Sequence, residues 1–181
     1  HVPLMEANPY EAIRVNAFGT RNLADLAVQY KVRKFVMIST DKAVNPTNIM
    51  GASKRIAEII AQSSFFKQNG NQQLQIIITR FGNVLGSNGS VVNLFEEQIQ
   101  KGGPLTVTHP EVIRYFMTIK EACSLVIESS IMGNNGSIMV FDMGEPIKIK
   151  DLAERMIYLA GLKLNEDIEI TYTGLRNGEK L

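Results

Sequence analysis

Cysteine is almost absent from this sequence. Cys123 stands alone, so no internal disulfide can form, and with only His1 and His109 beside it there is no ligand cluster for a zinc site. No metal is expected, and a reducing compartment fits. A dominant charge sign is also lacking: 19 Lys and Arg against 18 Asp and Glu leave a net charge of +1, with the basic residues scattered. Nucleic acid, which demands a basic stripe or patch, is therefore not an expected partner. No apolar run approaches the roughly 20 residues that cross a bilayer, and the N-terminus lacks the basic-then-apolar order of a leader peptide. No membrane contact is expected of this chain. An initiator Met is missing too, and the sequence stops on the charged segment Gly174–Leu181, so the expectation is an internal fragment. What is present, 45% hydrophobic and 20% charged residues with 14 Gly and 6 Pro, excludes disorder, collagen and disulfide scaffolds and describes an ordinary globular domain.

Strand and helix patterns alternate along the chain. Asn8, Pro9 and Glu11 have the form of an N-cap, a first-turn proline and a reciprocal capping carboxylate, predicting a helix over about 8–30. Lys34–Ile38 reads as a buried strand. Ile49, Ala52, Ile56, Ile59 and Ile60 give helical spacing over 48–68, with Gly70 as the stop. A strand over 74–79 follows, then helix 91–101, strand 105–108, helix 119–131, strand 137–141, helix 149–161 and strand 168–172. Continuous rather than alternating apolar strands point to an α/β class, a parallel sheet covered by helices on both faces. Gly82–Gly89 is the most glycine-rich loop, and it follows a strand, where open α/β sheets place ligands.

Ser39-Thr40-Asp41-Lys42 sets a hydroxyl, a carboxylate and an ammonium just past the end of a buried strand. On local sequence alone this is either a ligand crevice or a polar turn capped by Asp41. Met50 and Lys54, four apart on the next helix, share one face, and Lys54 can reach back to the same place. Met50 reads equally as core packing and Lys54 as a solvated helix lysine. His109, beside Pro110, is read as loop structure and Cys123 as a helix-face residue.

The order strand, Ser-Thr-Asp-Lys, then x-x-x-Lys on a helix resembles the extended short-chain dehydrogenase/reductases, whose helix usually carries Tyr-x-x-x-Lys. More narrowly, Ser39-Thr40-Asp41-Lys42-Ala43-Val44-Asn45-Pro46-Thr47-Asn48-Ile49-Met50-Gly51-Ala52-Ser53-Lys54-Arg55 is similar to the capsular and O-antigen UDP-N-acetylhexosamine 4,6-dehydratases. So are Arg80–Val91, Thr108–Thr118 and Gly174–Leu181, and the membrane-associated branch of these enzymes also carries Met at the position of Met50. The resemblance implies a partial Rossmann-like sheet, with 1–85 as the second half of a nucleotide-binding core and 86–181 mainly as a substrate part from which strand 137–141 returns to the core. It implies oxidation of a UDP-sugar at C4, loss of water across C5 and C6, and reduction at C6. Thr40, Asp41, Lys42, Met50 and Lys54 would form the catalytic group: Asp41 as the acid at the 6-hydroxyl, Lys42 as the base at C5, Thr40 on the 4-oxygen. A thioether accepts no proton, so Lys54, Asp41 or a water would relay the 4-hydroxyl proton. Desolvation would favour a neutral acid and base, whereas an Asp41–Lys42 ion pair would keep both charged; the two readings stand open.

Lys54, Ser39, Phe81 and Asn16 are the residues that the resemblance assigns to the cofactor, NADP or NAD, with Asn16 organising an active-site water. Arg80, Asn83, Ser90, Arg114, Arg176 and Glu179 are assigned to the UDP-sugar, UDP-N-acetylglucosamine or a relative, the arginines on phosphate and Glu179 on ribose. Asn177 replaces the proline usual in that last motif, and both are turn formers. The Gly-x-x-Gly-x-x-Gly turn that holds a dinucleotide is not in the sequence; Gly86-Ser87-Asn88-Gly89 does not match it. A homo-oligomer in the cytoplasm is expected, in a parent anchored at the inner membrane through segments upstream. An epimerase, a 4-ketoreductase or a noncatalytic nucleotide-sugar-binding module on the same scaffold are the alternatives.

Overall fold

The computed structural model describes residues 2–66, 74–87 and 89–181. In chain order it contains α1 (Val2–Ala7), α2 (Pro9–Ile13), a π-helical turn (Arg14–Phe18), α3 (Gly19–Gln29), β1 (Lys34–Thr40), a 3-10 turn (Asp41–Ala43) and α4 (Ile49–Phe66). Then come β2 (Gln75–Phe81), β3 (Asn83–Val84), α5 (Val91–Gln100), β4 (Leu105–Val107), β5 (Ile113–Arg114), β6 (Phe116–Met117), α6 (Ile119–Met132), β7 (Ile138–Val140), β8 (Ile147–Lys148), α7 (Ile149–Leu159) and β9 (Ile170–Tyr172). The expected stop at Gly70 lies outside the described residues.

The helix expected over 8–30 is present as an unbroken helical run from Pro9 to Gln29, with the π-helical turn inside it and α1 before it. Asn8 does not cap forwards: its Nδ2 donates to the Leu4 carbonyl at 3.0 Å, closing α1 behind it. Glu11 is held by Arg14 Nε at 3.0 Å, so the reciprocal capping pair does not form. Pro9 keeps its place in the first turn of α2, where a missing N–H costs nothing.

Two compact units divide the chain, His1–Phe81 with Lys120–Asp142, and Gly82–Ile119 with Met143–Leu181. The first holds a parallel sheet in the order β1-β2-β7, with Ser39 opposite Arg80 and Ile78 opposite Ile138. Ile76, Ile77 and Ile78 on the central strand are all fully buried, which requires cover on both faces. Ile76 and Ile78 pack with Ala27 of α3 and Ala57 and Ala61 of α4, small residues that bring the helices close to the sheet. Ile77 meets the segment that closes α6: a Cβ at Gly133 would lie 2.8 Å from Ile77 Cγ2 and 2.6 Å from the Ser129 carbonyl. Each isoleucine so buried contributes about 1.5–3 kcal/mol. β1 forms one edge of this sheet, and Ile38 on it is 51% exposed.

The second unit is built around Phe95 of α5, Leu105 and Val107 of β4, Val112, and Ala153 and Ile157 of α7. Three short strand pairs frame it: β3 with β6 and β4 with β9, both parallel, and β5 with β8, antiparallel. Among the described residues no helix is long and apolar enough to cross a membrane, and no group of three or more His, Cys, Asp or Glu could hold a metal ion.

Candidate functional site

The end of β1 gathers the first unit's reactive side chains. Thr40 is still extended, and its hydroxyl donates to Asp41 Oδ1 at 2.8 Å while accepting the Lys42 amide at 3.3 Å. That second bond caps the 3-10 turn and explains why the strand stops here. Lys42 Nζ donates to the same Asp41 oxygen at 3.0 Å, and the two side chains are only 24% and 28% exposed respectively. The structure places the two groups at ion-pair distance.

α4 supports that turn from below. Asn48 caps the helix through Oδ1, which accepts the Gly51 amide at 2.8 Å. At Gly51 a Cβ would lie 2.2 Å from the Lys42 carbonyl oxygen, so only glycine lets the helix press against the Asp41–Ala43 turn. Met50 is half-buried in the first turn, and its carbonyl accepts from Ser53 Oγ at 2.9 Å. One turn on, Lys54 reaches β1 and donates to the Ile38 carbonyl at 3.3 Å. Burial draws its ammonium below the ordinary lysine value, and the nearby Glu58 carboxylate opposes part of that shift.

Asn16 sits in the π-helical turn, buried, with Nδ2 on Ser53 Oγ at 3.0 Å. Phe81, at the end of β2, stacks on Phe141 with ring centres 6.5 Å apart. Ser39 is buried and donates to Glu58 Oε1 at 2.6 Å. Arg80, expected at the sugar nucleotide, directs its guanidinium to Glu58 as a fork, Nε to Oε1 at 2.7 Å and Nη2 to Oε2 at 2.5 Å. Arg55 adds a third cation contact at 2.9 Å. Glu58 has no exposed surface. Burial alone would push its carboxyl up, but the hydrogen bonds from Arg80, Ser39 and Arg55 together hold it below the ordinary carboxylate range. Sequence reasoning passed over Glu58, although a carboxylate four residues after Lys54, flanked by Ala57 and Ala61 on the sheet-facing side of α4, was a readable signal.

In the second unit Arg114 donates to Glu179 Oε1 at 2.9 Å and to the Ile113 carbonyl at 2.6 Å. Thr108 Oγ1 donates to the same Glu179 oxygen at 3.1 Å, and the Arg176 amide to the other at 3.2 Å. The Arg176 side chain is exposed. Asn83 is held in β3, its amide on the Tyr115 carbonyl at 3.0 Å, and Ser90 caps α5 by accepting from the Asn93 amide at 3.4 Å. His109 Nδ1 accepts the Glu111 amide at 3.2 Å, a loop-forming bond.

Known proteins resemble this chain in sequence and in fold. Capsular polysaccharide biosynthesis protein CapD of Staphylococcus aureus is 57% identical over all 181 residues, which correspond to 30% of that protein. The X-ray structure of Pen from Bacillus thuringiensis superposes with a TM-score of 0.91 at 39% identity over 99% of this chain and 54% of that one. The chain therefore spans about a third to a half of the relatives it matches. DesIV, the dTDP-glucose 4,6-dehydratase of Streptomyces venezuelae, solved with NAD and TYD bound, shares the fold with a TM-score of 0.88 at 21% identity, over all of this chain and 60% of that one. The chain thus carries part of the Rossmann-type α/β fold of these structures. The sequence pattern described for polysaccharide biosynthesis proteins matches from residue 1 to residue 181, and to that family this chain belongs.

Proposed function

We propose that the chain is the sugar-handling portion of a nicotinamide-dependent UDP-N-acetylhexosamine 4,6-dehydratase serving surface-polysaccharide assembly. The observation that carries this reading is the Thr40–Asp41–Lys42 cluster at the end of a parallel strand, with Lys54 anchored on that strand. A simple epimerase needs no acid for a departing hydroxyl; an eliminating enzyme needs both an acid and a base.

The ion pair supplies both. Transfer of one proton from Lys42 Nζ to Asp41 Oδ1, across the observed 3.0 Å contact, leaves a carboxylic acid and a free amine. The amine then takes the C5 proton, acidified by the 4-ketone, as the carboxylic acid protonates the departing 6-hydroxyl to release water. The pair returns to its charged form, ready for another cycle. Thr40 holds the 4-oxygen, and because Met50 accepts no proton, Lys54, Asp41 or a bound water carries the 4-hydroxyl proton away.

Lys54 suits the nicotinamide ribose of NAD or NADP: its ammonium is half-buried at the strand end and has three donors, one of them on Ile38. A nicotinamide held there by Lys54 would supply reversible hydride acceptance for the oxidation at C4 and the reduction at C6. Asn16, Ser39 and Phe81 shape that neighbourhood. In the second unit we assign the UDP portion to Arg114 and Arg176 with Asn83 and Ser90, and ribose to Glu179, whose contact with Arg114 a phosphate would have to replace.

The test is to restore an upstream nucleotide-binding half, supply UDP-N-acetylglucosamine with catalytic nicotinamide, and follow the mass of the sugar nucleotide. Loss of one water, giving a 4-keto sugar, is the expected result. An unchanged mass with an epimerised or merely bound sugar, seen by NMR, would overturn the dehydratase reading.

A further inference from the structure

Resting on that reading, we propose that Glu58 is the positioning residue of the site, fixing the ends of β1 and β2 against α4 and thereby setting where Thr40, Asp41, Lys42 and Lys54 stand. The geometry is specific. Lys54 and Glu58, four apart and so on one face of α4, hold consecutive residues of β1, the Ile38 carbonyl and the Ser39 hydroxyl. Ser39 and Arg80 face each other in the parallel register, and Glu58 engages both with the same carboxylate. The strand end therefore cannot slide or twist without breaking a bond to a buried charge, and Asp41 follows Ser39 by two residues. A carboxylate with no exposed surface that binds two strands and its own helix is more than a local ion pair needs. The same contacts place Arg80 on Glu58, a positioning duty in place of a phosphate contact.

The experiment uses the protein with its upstream half restored. Turnover of UDP-N-acetylglucosamine by the unsubstituted protein tests the functional reading; the ratio of variant to unsubstituted protein tests Glu58. Glu58→Gln is expected to lower kcat by about tenfold or more through misplacement of the acid and base, with KM within about twofold, and to speed amide hydrogen exchange at residues 40–43. Arg80→Lys keeps the charge but loses the fork, and the same pattern is expected: kcat reduced, KM retained. This second variant decides the matter if Glu58→Gln does not fold. Unchanged kcat and exchange in Glu58→Gln would overturn the inference, as would an Arg80→Lys variant with raised KM and unchanged kcat. If the unsubstituted protein turns nothing over, the functional reading fails alone, and the exchange comparison at residues 40–43 still decides the role of Glu58.

Discussion

Glu58 stores stability in a form that pH can read. Its folded carboxyl lies below the ordinary 4.5 because Arg80, Ser39 and Arg55 outweigh the cost of burial. A depressed carboxyl contributes stability that is complete above the unfolded value and lost as pH falls through the folded one. The unsubstituted chain should therefore lose urea resistance on acidification from about pH 5 to 3 more steeply than Glu58→Gln, which has no such proton to bind. At neutral pH the unsubstituted chain is the more stable of the two, since removing one partner of a buried pair costs about 3–5 kcal/mol, and the gap closes in acid. Parallel urea midpoints for the two proteins across that range would contradict the account. At this scale the sequence was legible where side chains sit next to one another in the chain. Thr40, Asp41 and Lys42 are neighbours by number and neighbours in space. Arg80 was harder, because its partner is 22 residues away on another element and a lone arginine after a strand looks the same whether it meets a phosphate or a glutamate.

The first turn of α4 is an element whose position depends on one missing atom. Replacing Gly51 by Ala would ordinarily favour a helix by about 1 kcal/mol. Here the new Cβ would stand 2.2 Å from the Lys42 carbonyl oxygen, and the opposing atom is backbone, which cannot rotate aside. Overpacking of this kind costs about 1–3 kcal/mol or more, so the clash wins. Gly51→Ala is expected to lower Tm and to cut turnover in the restored enzyme, because the atom displaced belongs to the turn that carries Asp41 and Lys42. A rise in Tm would show that α4 and the turn are not in contact as described. The long elements were readable from the sequence: the apolar runs at 34–38 and 74–79 and the helical spacing after Asn48 fall on β1, β2 and α4. The two-residue strands β3, β5, β6 and β8 were not, because two residues carry no period. The π-helical turn was equally hidden, since Arg14–Phe18 is ordinary helix-forming sequence whose extra residue per turn is registered only against α4, where Asn16 meets Ser53.

For the molecule as a whole, cofactor affinity is the property most sensitive to what this chain contains. Beside the ribose contact proposed for Lys54, its sequence holds no glycine-rich turn between a strand and a helix N-terminus for a pyrophosphate. The 181-residue chain alone is therefore expected to bind NADPH weakly and to turn over no sugar nucleotide. A tight, stoichiometric isotherm in calorimetry would contradict this. The edge position of β1, with Ile38 half exposed, makes self-association the accompanying hazard. Alternating strand and helix patterns made the α/β class legible at this scale. The interleaving of the two units was less so: α6 belongs with β7 in the first unit, a membership that no motif announces.

That interleaving fixes an order of events during synthesis. β2 leaves the ribosome with β1 and α4 already made, but its other neighbour, β7, lies beyond residues 82–137. At about 5–20 residues per second, roughly 3–11 seconds pass before the sheet can be completed. Throughout that interval Ile77 lacks the Gly133 segment that meets it and the far edge of β2 has no strand. The nascent chain thus spends its most vulnerable seconds with its most apolar strand half dressed, and that interval is when a chaperone would have the most to hold.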